Sequence, residues 1–344
     1  MGEWRADARG RVAGRVSAAD RQLSVSLPYW QDRDPLDALV VAEAAEKLGY
    51  HRLWLGEMAT FDAFALATAI GLAPGRIPLC LGPFAVDVRS PATIAMGVAS
   101  VAALTGRTVD VAIGSSSTVV VNGWHGRERR HTATHLEESA RILRGLLAGD
   151  KVDFAGEVER TKGYRLRLTP PRSAITVAAF GARALAAAAR TADRVVLNLV
   201  TPEQVSRCAE LVREAAAAAG VASPAISVWV TAAADPTVDL LATVRRGVVG
   251  YLRAPGYDAM FEEAGFGEIV RLAHSGAHPR DILAGVPDEL PAAVGMFGDD
   301  TALLRRLDAY RSAGVDEIVV VPATSAEDPA GHHTLETLAR IDHA

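Results

Sequence analysis

Apolar residues along this chain occur in two alternating patterns, short continuous runs and longer runs with helical spacing. Three short runs, at 52–56, 77–82 and 109–114, each end in glycine, and helical spacing fills the segments between them. A parallel strand needs such a crossover before the next strand begins, so this alternation predicts a parallel α/β fold. In these folds the chemistry lies at the carboxyl ends of the strands. The turns after the three glycines are therefore the first places to look for a site.

The alternation continues to the end of the chain. Eight strands, most of them followed by a helix, favour a closed (β/α)8 TIM barrel over an open sheet. Two insertions interrupt the rhythm, a predicted β-hairpin at 150–168 after strand four and short helices at 255–296 after strand seven. The remaining strands are predicted at 23–27, 174–178, 194–199, 225–231 and 317–321.

Helix ends carry recognisable signals. Ser90 and Thr201 are predicted to cap helices at 91–104 and 202–219, and Asp34 is predicted to cap a helix that Pro35 opens. A hydroxyl or carboxylate at this position accepts a hydrogen bond from a backbone amide that the helix leaves unpaired.

The amino-acid composition indicates which kinds of protein this chain can be. The 344 residues are 49% hydrophobic with a net charge of -5, so a large core is expected and nucleic acid, which needs a basic surface, is not. We expect one domain over 21–344 and a flexible polar tail over 1–20, without the apolar segment of a secretory signal. No apolar run is long enough to span a membrane. Cys80 and Cys208 are expected to be buried free thiols of a cytoplasmic protein.

Several predicted strand ends carry polar residues. Glu57 follows strand two, where a carboxylate can orient a ligand, act as an acid or base, or brace the loop. Ser115, Ser116 and Ser117 follow strand four and suit contacts to an anion or a ring oxygen. The flanking glycine of a serine-nucleophile elbow is missing there, so nucleophilic catalysis is disfavoured.

The turn after strand five opens a helix with Gly181, Ala182 and Arg183. Free amides at a helix start, together with a nearby arginine, favour a phosphate site. Ordinary helix initiation is the alternative. In a barrel the phosphate interpretation gains weight, because phosphate groups often bind at these turns.

Histidines offer little metal chemistry. His131 and His135 stand four residues apart, but without a metal-binding motif they are interpreted as solvated or loop residues rather than ligands. His125 lies in the loop after strand four, next to Trp124, whose ring could stack on a ligand. A solvated loop is an equal alternative for this pair, and no metal site is predicted.

Ten short stretches match motifs that occur in the same order and spacing in one protein family. The order and spacing together are more specific for that family than any single stretch. The stretches are Ala44–Tyr50, Leu53–Glu57, Ile77–Gly82, Ser90–Ala95, Leu104–Arg107, Ala112–Gly114, Gly149–Gly156, Ala178–Arg183, Ala192–Leu197 and Gly314–Ile318. Together they make the chain resemble the luciferase-like monooxygenase superfamily, most of all its branch that uses the deazaflavin coenzyme F420. The resemblance covers roughly residues 23–340.

This resemblance implies a TIM barrel with the deazaflavin ring in its mouth. A non-proline cis peptide is implied at Phe84–Ala85, behind the ring. The cofactor phosphate would lie at Gly181, Ala182 and Arg183, and Ser115 and Ser116 would approach the ring or its ribityl chain.

The chain departs from the family pattern at two positions. Glu57-Met58 stands where the family often has Asp-His, and Ser117 stands where sugar-phosphate dehydrogenases of the branch have a glutamate proton donor. Both changes argue against sugar-phosphate oxidation. They leave His125 as a candidate acid or base, with Met58, Ser117 and Trp124 expected in the substrate pocket.

The function expected from the resemblance is hydride transfer between coenzyme F420 and a small organic molecule. A monooxygenase that uses flavin mononucleotide (FMN) in the same pocket is the first alternative, and a non-catalytic flavin- or deazaflavin-binding protein is the second. Relatives are commonly dimers, so a homodimer is expected, without nucleic-acid or membrane partners.

Overall fold

Parallel strands close into a barrel in the computed structural model, which describes residues 22–27, 34–57 and 59–342. The strands found there are β1 (Gln22–Ser26), β2 (Leu53–Leu55), β3 (Leu79–Ala85), β4 (Val109–Gly114), β5 (Val152–Ala155), β6 (Arg160–Tyr164), β7 (Ile175–Ala178), β8 (Arg194–Asn198), β9 (Ala225–Ala234), β10 (Met296–Gly298) and β11 (Glu317–Pro322). Around the ring the order is β1-β2-β3-β4-β7-β8-β9-β11, and the β11–β1 pairing returns to the start. The predicted eight-stranded TIM barrel is confirmed.

Helices surround the barrel and form its crossovers. In the described part of the chain they are α1 (Asp37–Lys47), α2 (Ala63–Leu72), α3 (Pro91–Thr105), α4 (Thr132–Ala148), α5 (Gly181–Thr191), α6 (Pro202–Ala219), α7 (Val238–Val249), α8 (Tyr257–Phe261), α9 (Gly267–His274), α10 (Pro279–Gly285), α11 (Glu289–Val294), α12 (Asp300–Ser312) and α13 (His332–Asp342). π-Helical turns occur at Val119–Trp124 and Glu262–Phe266. None of the helices described is both long and apolar enough to cross a membrane.

Both insertions lie where the pattern predicted them. Strands β5 and β6 form an antiparallel hairpin after β4, and α7 to α11 follow β9. Strand β10 was not predicted, because three residues are too few to show an alternating pattern. It forms because β9 is ten residues long, and its last residues pair with β10 in parallel beyond the barrel wall.

Two of the three predicted caps are confirmed. The Ser90 hydroxyl accepts from the amide of Thr93, and Thr201 forms a reciprocal capping box with Gln204. The Asp34 prediction is wrong, since α1 begins at Asp37 and no side chain caps it. The Asp34 carboxylate instead accepts from the amide of Leu36 at 2.9 Å, within the turn that precedes the helix. The predicted tail at 1–20 lies outside the described residues.

The core has two separate layers because strand residues alternate between the barrel interior and the helices. Outward residues such as Leu53, Leu55 and Leu79 are fully buried against the helices. Inside the barrel, Trp54 meets Trp229 edge to face with ring centroids 5.7 Å apart. A smaller apolar cluster around this pair forms the floor beneath the barrel mouth. The cysteines are free and buried, as predicted.

Below that floor, at the amino-terminal ends of the strands, the barrel interior is charged. Glu317 is 2% exposed and pairs with Arg52 at 3.0 Å and Arg194 at 3.1 Å. Its carboxylate also accepts from the hydroxyls of Ser24 and Ser227 at 2.5 and 2.9 Å. Burial alone would raise the pKa of Glu317, but the two arginines and the hydrogen bonds hold it below its ordinary value. The network closes this end of the barrel.

His135 differs from its prediction as a solvated residue. Its ring is buried between two carboxylates, with Nδ1 at 3.1 Å from Asp87 and Nε2 at 2.9 Å from Glu159. Burial opposes the charged ring, but these two hydrogen bonds raise the pKa of His135 to about 9. Since Glu159 belongs to the turn of the β5–β6 hairpin, the pair fastens the hairpin to α4. His131, in contrast, is exposed, as predicted.

Candidate active site

Arg89 holds the loops after β2 and β3 together at the barrel mouth through ion pairs with Glu57 and Asp62. Arg89 donates from Nε and Nη2 to the two carboxylate oxygens of Glu57, at 2.7 and 2.5 Å. The amide of Ala63 donates to the same carboxylate at 3.3 Å. The hydrogen bond with Glu57 raises the pKa of Arg89. In this arrangement Glu57 fixes the shape of the mouth, the bracing alternative that its position allowed.

Arg89 was missed by sequence reasoning. Its guanidinium lies over the rings of Phe64 and Phe84, 5.1 and 5.7 Å from their centroids, so the aromatic faces also favour its charge. A signal was present, because Arg89 stands directly before the Ser90 cap in the loop after a barrel strand.

Strand β3 continues past Gly82, where it was predicted to end. A register shift between Leu81 and Phe84 marks a bulge, after which Phe84 pairs with Ile113 of β4. The cis peptide expected at Phe84–Ala85 is wrong; in the described chain the cis bond is Gly82–Pro83. Proline is where a cis bond costs least. Phe84 is fully buried, so its ring lies behind the mouth rather than in it.

Glycines let the strand ends pack closely beside this bulge. A side chain at Gly114 would lie 3.3 Å from the Cβ atoms of both Pro83 and Ala178. A side chain at Gly82 would lie only 2.2 Å from the carbonyl oxygen of Ala112. These close approaches show that the ends of β3, β4 and β7 pack tightly against one another at the mouth, which requires residues without bulky side chains.

The serines after β4 have different environments. Arg129 donates to the Ser115 hydroxyl at 3.0 Å, and the Ser117 hydroxyl accepts from the amide of Val120 at 3.2 Å. Ser116 is exposed and has a φ of 54°. Farther along this loop, Trp124 is 45% exposed and His125 is exposed as well. The structure therefore places Trp124 and His125 on the loop surface, whereas Ser115 stays next to the strand end.

The amino terminus of α5 has no side-chain cap. Phe180 occupies the cap position and its side chain makes no capping hydrogen bond, while Gly181 has a φ of +71°. Gly181, Ala182 and Arg183 are all exposed, and a Cβ built on Gly181 would meet no atom within 4 Å. A helix start with unpaired amides and open space around it suits an anion. A phosphate group therefore fits at this turn.

A cavity of about 590 Å³, part of it open to solvent, lies at the carboxyl ends of β8, β9 and β11. The insertion after β9 supplies one wall of it. The residues that line it are Asn198, Leu199, Trp229, Thr231, Val244, Gly247, Val248, Tyr251, Pro291, Val294, Gly295, Phe297 and Val321. None of the residues predicted for the site is among them.

An aromatic cluster connects this cavity with the start of α5. The ring centroids of Phe180 and Tyr257 are 4.7 Å apart, and those of Tyr257 and Tyr251 are 4.9 Å apart. The Asn198 amide donates to the Tyr257 hydroxyl at 3.0 Å. Burial raises the pKa of Tyr257, so its phenol stays protonated. Packed aromatic rings thus join the start of α5 to the cavity.

Sequence reasoning missed the cavity residues, although a usable signal existed. Asn198 ends β8 and Thr231 lies in the last half of β9, where barrel strands present their chemistry. Their side chains are common in loops and strands of every kind, so type alone gave no reason to select them. Met58, expected in the substrate pocket, lies outside the described residues.

The comparison with known families agrees with this architecture. The sequence model described as luciferase-like monooxygenase matches residues 16–317. The chain belongs to the luciferase-like monooxygenase family. Among curated relatives, it is 24% identical over 290 residues to the 5,10-methylenetetrahydromethanopterin reductase of Archaeoglobus fulgidus, an alignment that covers 80% of this chain and 86% of the reductase.

Solved structures of other proteins show the same barrel. The coenzyme F420-dependent tetrahydromethanopterin reductase of Methanopyrus kandleri superimposes with a TM-score of 0.79 at 17% identity, covering 93% of this chain and 97% of that one. An F420-dependent secondary alcohol dehydrogenase, solved with an F420–acetone adduct, has a TM-score of 0.75 at 18% identity, covering 93% and 98%. At these identities the likeness concerns the fold.

Proposed function

We propose that this protein is an oxidoreductase that transfers a hydride between coenzyme F420 and a small organic substrate. The family and the F420-dependent relatives support this assignment. The observation that carries it is the uncapped, exposed start of α5, joined by an aromatic cluster to an apolar cavity at the barrel mouth. A cofactor with a phosphate at one end and a ring at the other suits that arrangement.

The residues divide between holding the cofactor and shaping its ring site. The amides of Gly181 and Ala182, with the charge of Arg183, would bind the phosphate. The ring would lie at the barrel mouth, where the buried Phe84 supports the wall from behind. When bound, the deazaflavin supplies the two-electron chemistry, and the protein's part is to orient the reacting carbons.

Other predicted roles remain proposals. Ser115, bound to Arg129, would contact the ring or the ribityl chain, and Ser116 would lie beside it. His125 as acid or base, and Ser117 and Trp124 as substrate contacts, stay predictions from the sequence. Glu57 would act through the mouth's geometry, because both its carboxylate oxygens are already bound by Arg89.

Binding of the cofactor can be tested with one charge at the anion site. In Ala182→Asp a carboxylate is added where a helix start favours it, so folding is retained while the phosphate is repelled. We expect the Kd for oxidised F420, measured by fluorescence titration, to rise about tenfold or more. Ala182→Asn, which adds similar bulk without charge, serves as the control. Equal F420 affinity in both variants would show that the phosphate does not bind at α5.

The same titration separates the alternatives. Binding of FMN in preference to F420, together with oxygen consumption by the reduced protein, would support the monooxygenase alternative instead. Binding of F420 without hydride transfer to any of a panel of ketones, enones and imines would support the non-catalytic alternative.

We also propose that the protein is a cytoplasmic enzyme of small molecules with no nucleic-acid partner. Its net charge of -5 and its two buried free thiols suit this assignment. We further propose a single barrel domain and a homodimer, which size-exclusion chromatography with light scattering would test.

A further inference from the structure

The turn after β3, residues 85–89, is held at the barrel mouth from two sides. Backbone hydrogen bonds to the carbonyl oxygen of its first residue, at 2.9 and 3.0 Å, close the turn. On the side of β2, the Arg89 guanidinium pairs with Glu57. On the side of α4, the Asp87 carboxylate lies 3.1 Å from Nδ1 of His135. Because β2 and β4 flank β3 in the barrel, one contact lies on each side of the turn.

The Asp87 carboxylate depends on His135 to offset its burial. The Asp87 side chain is only 6% exposed. Its Oδ1 meets the His135 ring, whereas Oδ2 is buried and has no hydrogen-bond partner among the residues that the structure describes. A buried carboxylate is unfavourable unless a partner replaces its lost hydration. If the His135 ring lost its charge, Asp87 would therefore be drawn toward solvent, and the turn with it.

The β5–β6 hairpin fixes the position of the His135 ring. Nε2 lies 2.9 Å from the Glu159 carboxylate in the hairpin turn, and the Ser139 hydroxyl donates to the same carboxylate at 3.4 Å. Glu138, on the same helix as His135, accepts from three backbone amides of that turn. Carboxylates thus face the ring from the turn after β3, from the hairpin and from its own helix. At neutral pH the ring is charged, because the pKa of His135 lies at about 9.

The same turn is bonded to the end of β4. The Val86 amide donates to the carbonyl oxygen of Gly114 at 3.0 Å, and Gly114 directly precedes Ser115, the proposed contact to the cofactor ring or its ribityl chain. The buried Phe84, behind the mouth, directly precedes the turn. A shift of the turn would therefore move both the wall behind the ring and the strand end beside it.

We propose that His135 is a positioning residue of the cofactor site, which holds the turn at 85–89 in its binding geometry through Asp87. The inference rests on the proposed function, in which the ring lies at the barrel mouth. His135 acts through Asp87 and does not itself touch the cofactor. The β5–β6 hairpin, which holds the ring of His135 through Glu159, thereby contributes to cofactor binding.

Titration of the protein with oxidised F420 from about pH 7 to about pH 10 tests this inference. In the wild type we expect the Kd to rise about tenfold over this range, with a midpoint near pH 9, because the ring is charged below its pKa of about 9 and neutral above it. In His135→Gln the Kd should be about tenfold higher already at neutral pH and should show no such midpoint. The wild-type titration needs no variant, so it decides the question even where His135→Gln does not fold.

His131→Gln is the matched control. His131 directly precedes α4 and pairs with Glu157 of the same hairpin at 2.8 Å, but its side chain is exposed. Protonation of F420 itself affects both variants equally, so it cancels in the ratio of their Kd values. A structural role alone would reduce the number of F420 molecules bound per protein and leave the Kd unchanged. That result would overturn the inference, as would equal Kd values in the two variants or a wild-type Kd without the midpoint.

Hydrogen exchange without cofactor separates this inference from the proposed function. At neutral pH the backbone amides of residues 86–89 should exchange about tenfold faster in His135→Gln than in His131→Gln, because the turn opens more often when Asp87 loses its partner. Equal exchange rates in this segment would overturn the inference. Failure of the wild type to bind F420, with the difference in exchange still present, would reject the proposed function alone.

Discussion

Removing the charge of Glu317 should be the most damaging conservative change in the barrel interior. In Glu317→Gln the side chain keeps its shape but leaves Arg52 and Arg194 without the carboxylate that both contact. The hydroxyls of Ser24 and Ser227 also lose a charged acceptor. Arg52 keeps its second pair, with Asp110 at 3.2 Å, so the charge left without a carboxylate partner is that of Arg194. Breaking a buried ion pair from one side costs about 3–5 kcal/mol, because the remaining charge stays buried without compensation.

That loss of stability should lower the melting temperature by a measurable amount. At about 2.1 cal/mol/K per residue, a chain of this size has an unfolding entropy of roughly 0.7 kcal/mol/K, so the midpoint should fall by about 4–7 °C. Calorimetry at neutral pH measures it. Glu43→Gln is the control, since Glu43 and Lys47 form an exposed pair, 63% and 68% accessible, and exposed pairs contribute little.

The stabilisation by Glu317 should also depend on pH. The pKa of Glu317 is lowered in the folded protein, so its contribution is present above the unfolded carboxyl pKa and disappears as pH falls through the folded value. The gap in stability between the wild type and Glu317→Gln should therefore close in acid. A variant that melts within about 1 °C of the wild type at neutral pH would refute the idea that this network stabilises the barrel.

Three further changes test other parts of the fold. Gly82→Ala should lower the free energy of unfolding by about 2 kcal/mol or more, because φ at this position is +111° and the added Cβ would meet a backbone oxygen at 2.2 Å. A variant that unfolds in urea at the same midpoint as the wild type would contradict this. His135→Gln should lose about 2–3 kcal/mol at pH 6. The difference in free energy of unfolding between the wild type and this variant should shrink as pH rises from about 6.5 to about 9, because the raised pKa of His135 stabilises the fold only while the ring is charged. A difference that does not change with pH would contradict this account. Glu138→Ala should free the hairpin turn, whose three amides at 157–159 donate to that carboxylate, and raise hydrogen exchange there while α5 stays protected.

Local patterns predicted the architecture because each pattern has a local physical cause. The spacing of apolar runs, the glycines that end them, and the Ser90 and Thr201 caps depend on residues within a few positions of one another. The eight barrel strands and the sites of both insertions were predicted from the same local patterns, whereas β10 was not. Asp34 failed as a cap because α1 begins three residues after it, and its carboxylate accepts from the Leu36 amide in the preceding turn.

The sequence by itself determined the barrel and its family, since these depend on chain-local features or on motif order, whereas the phosphate turn at Gly181 stays a prediction. Only the tertiary structure decided the rest. Arg89 meets Glu57, and His135 meets Glu159, across 32 and 24 residues, and the cavity between β8, β9 and α11 brings together residues more than 90 positions apart. Which side chains meet over such separations depends on how the sheet closes and how insertions pack against it, and no local pattern encodes that packing.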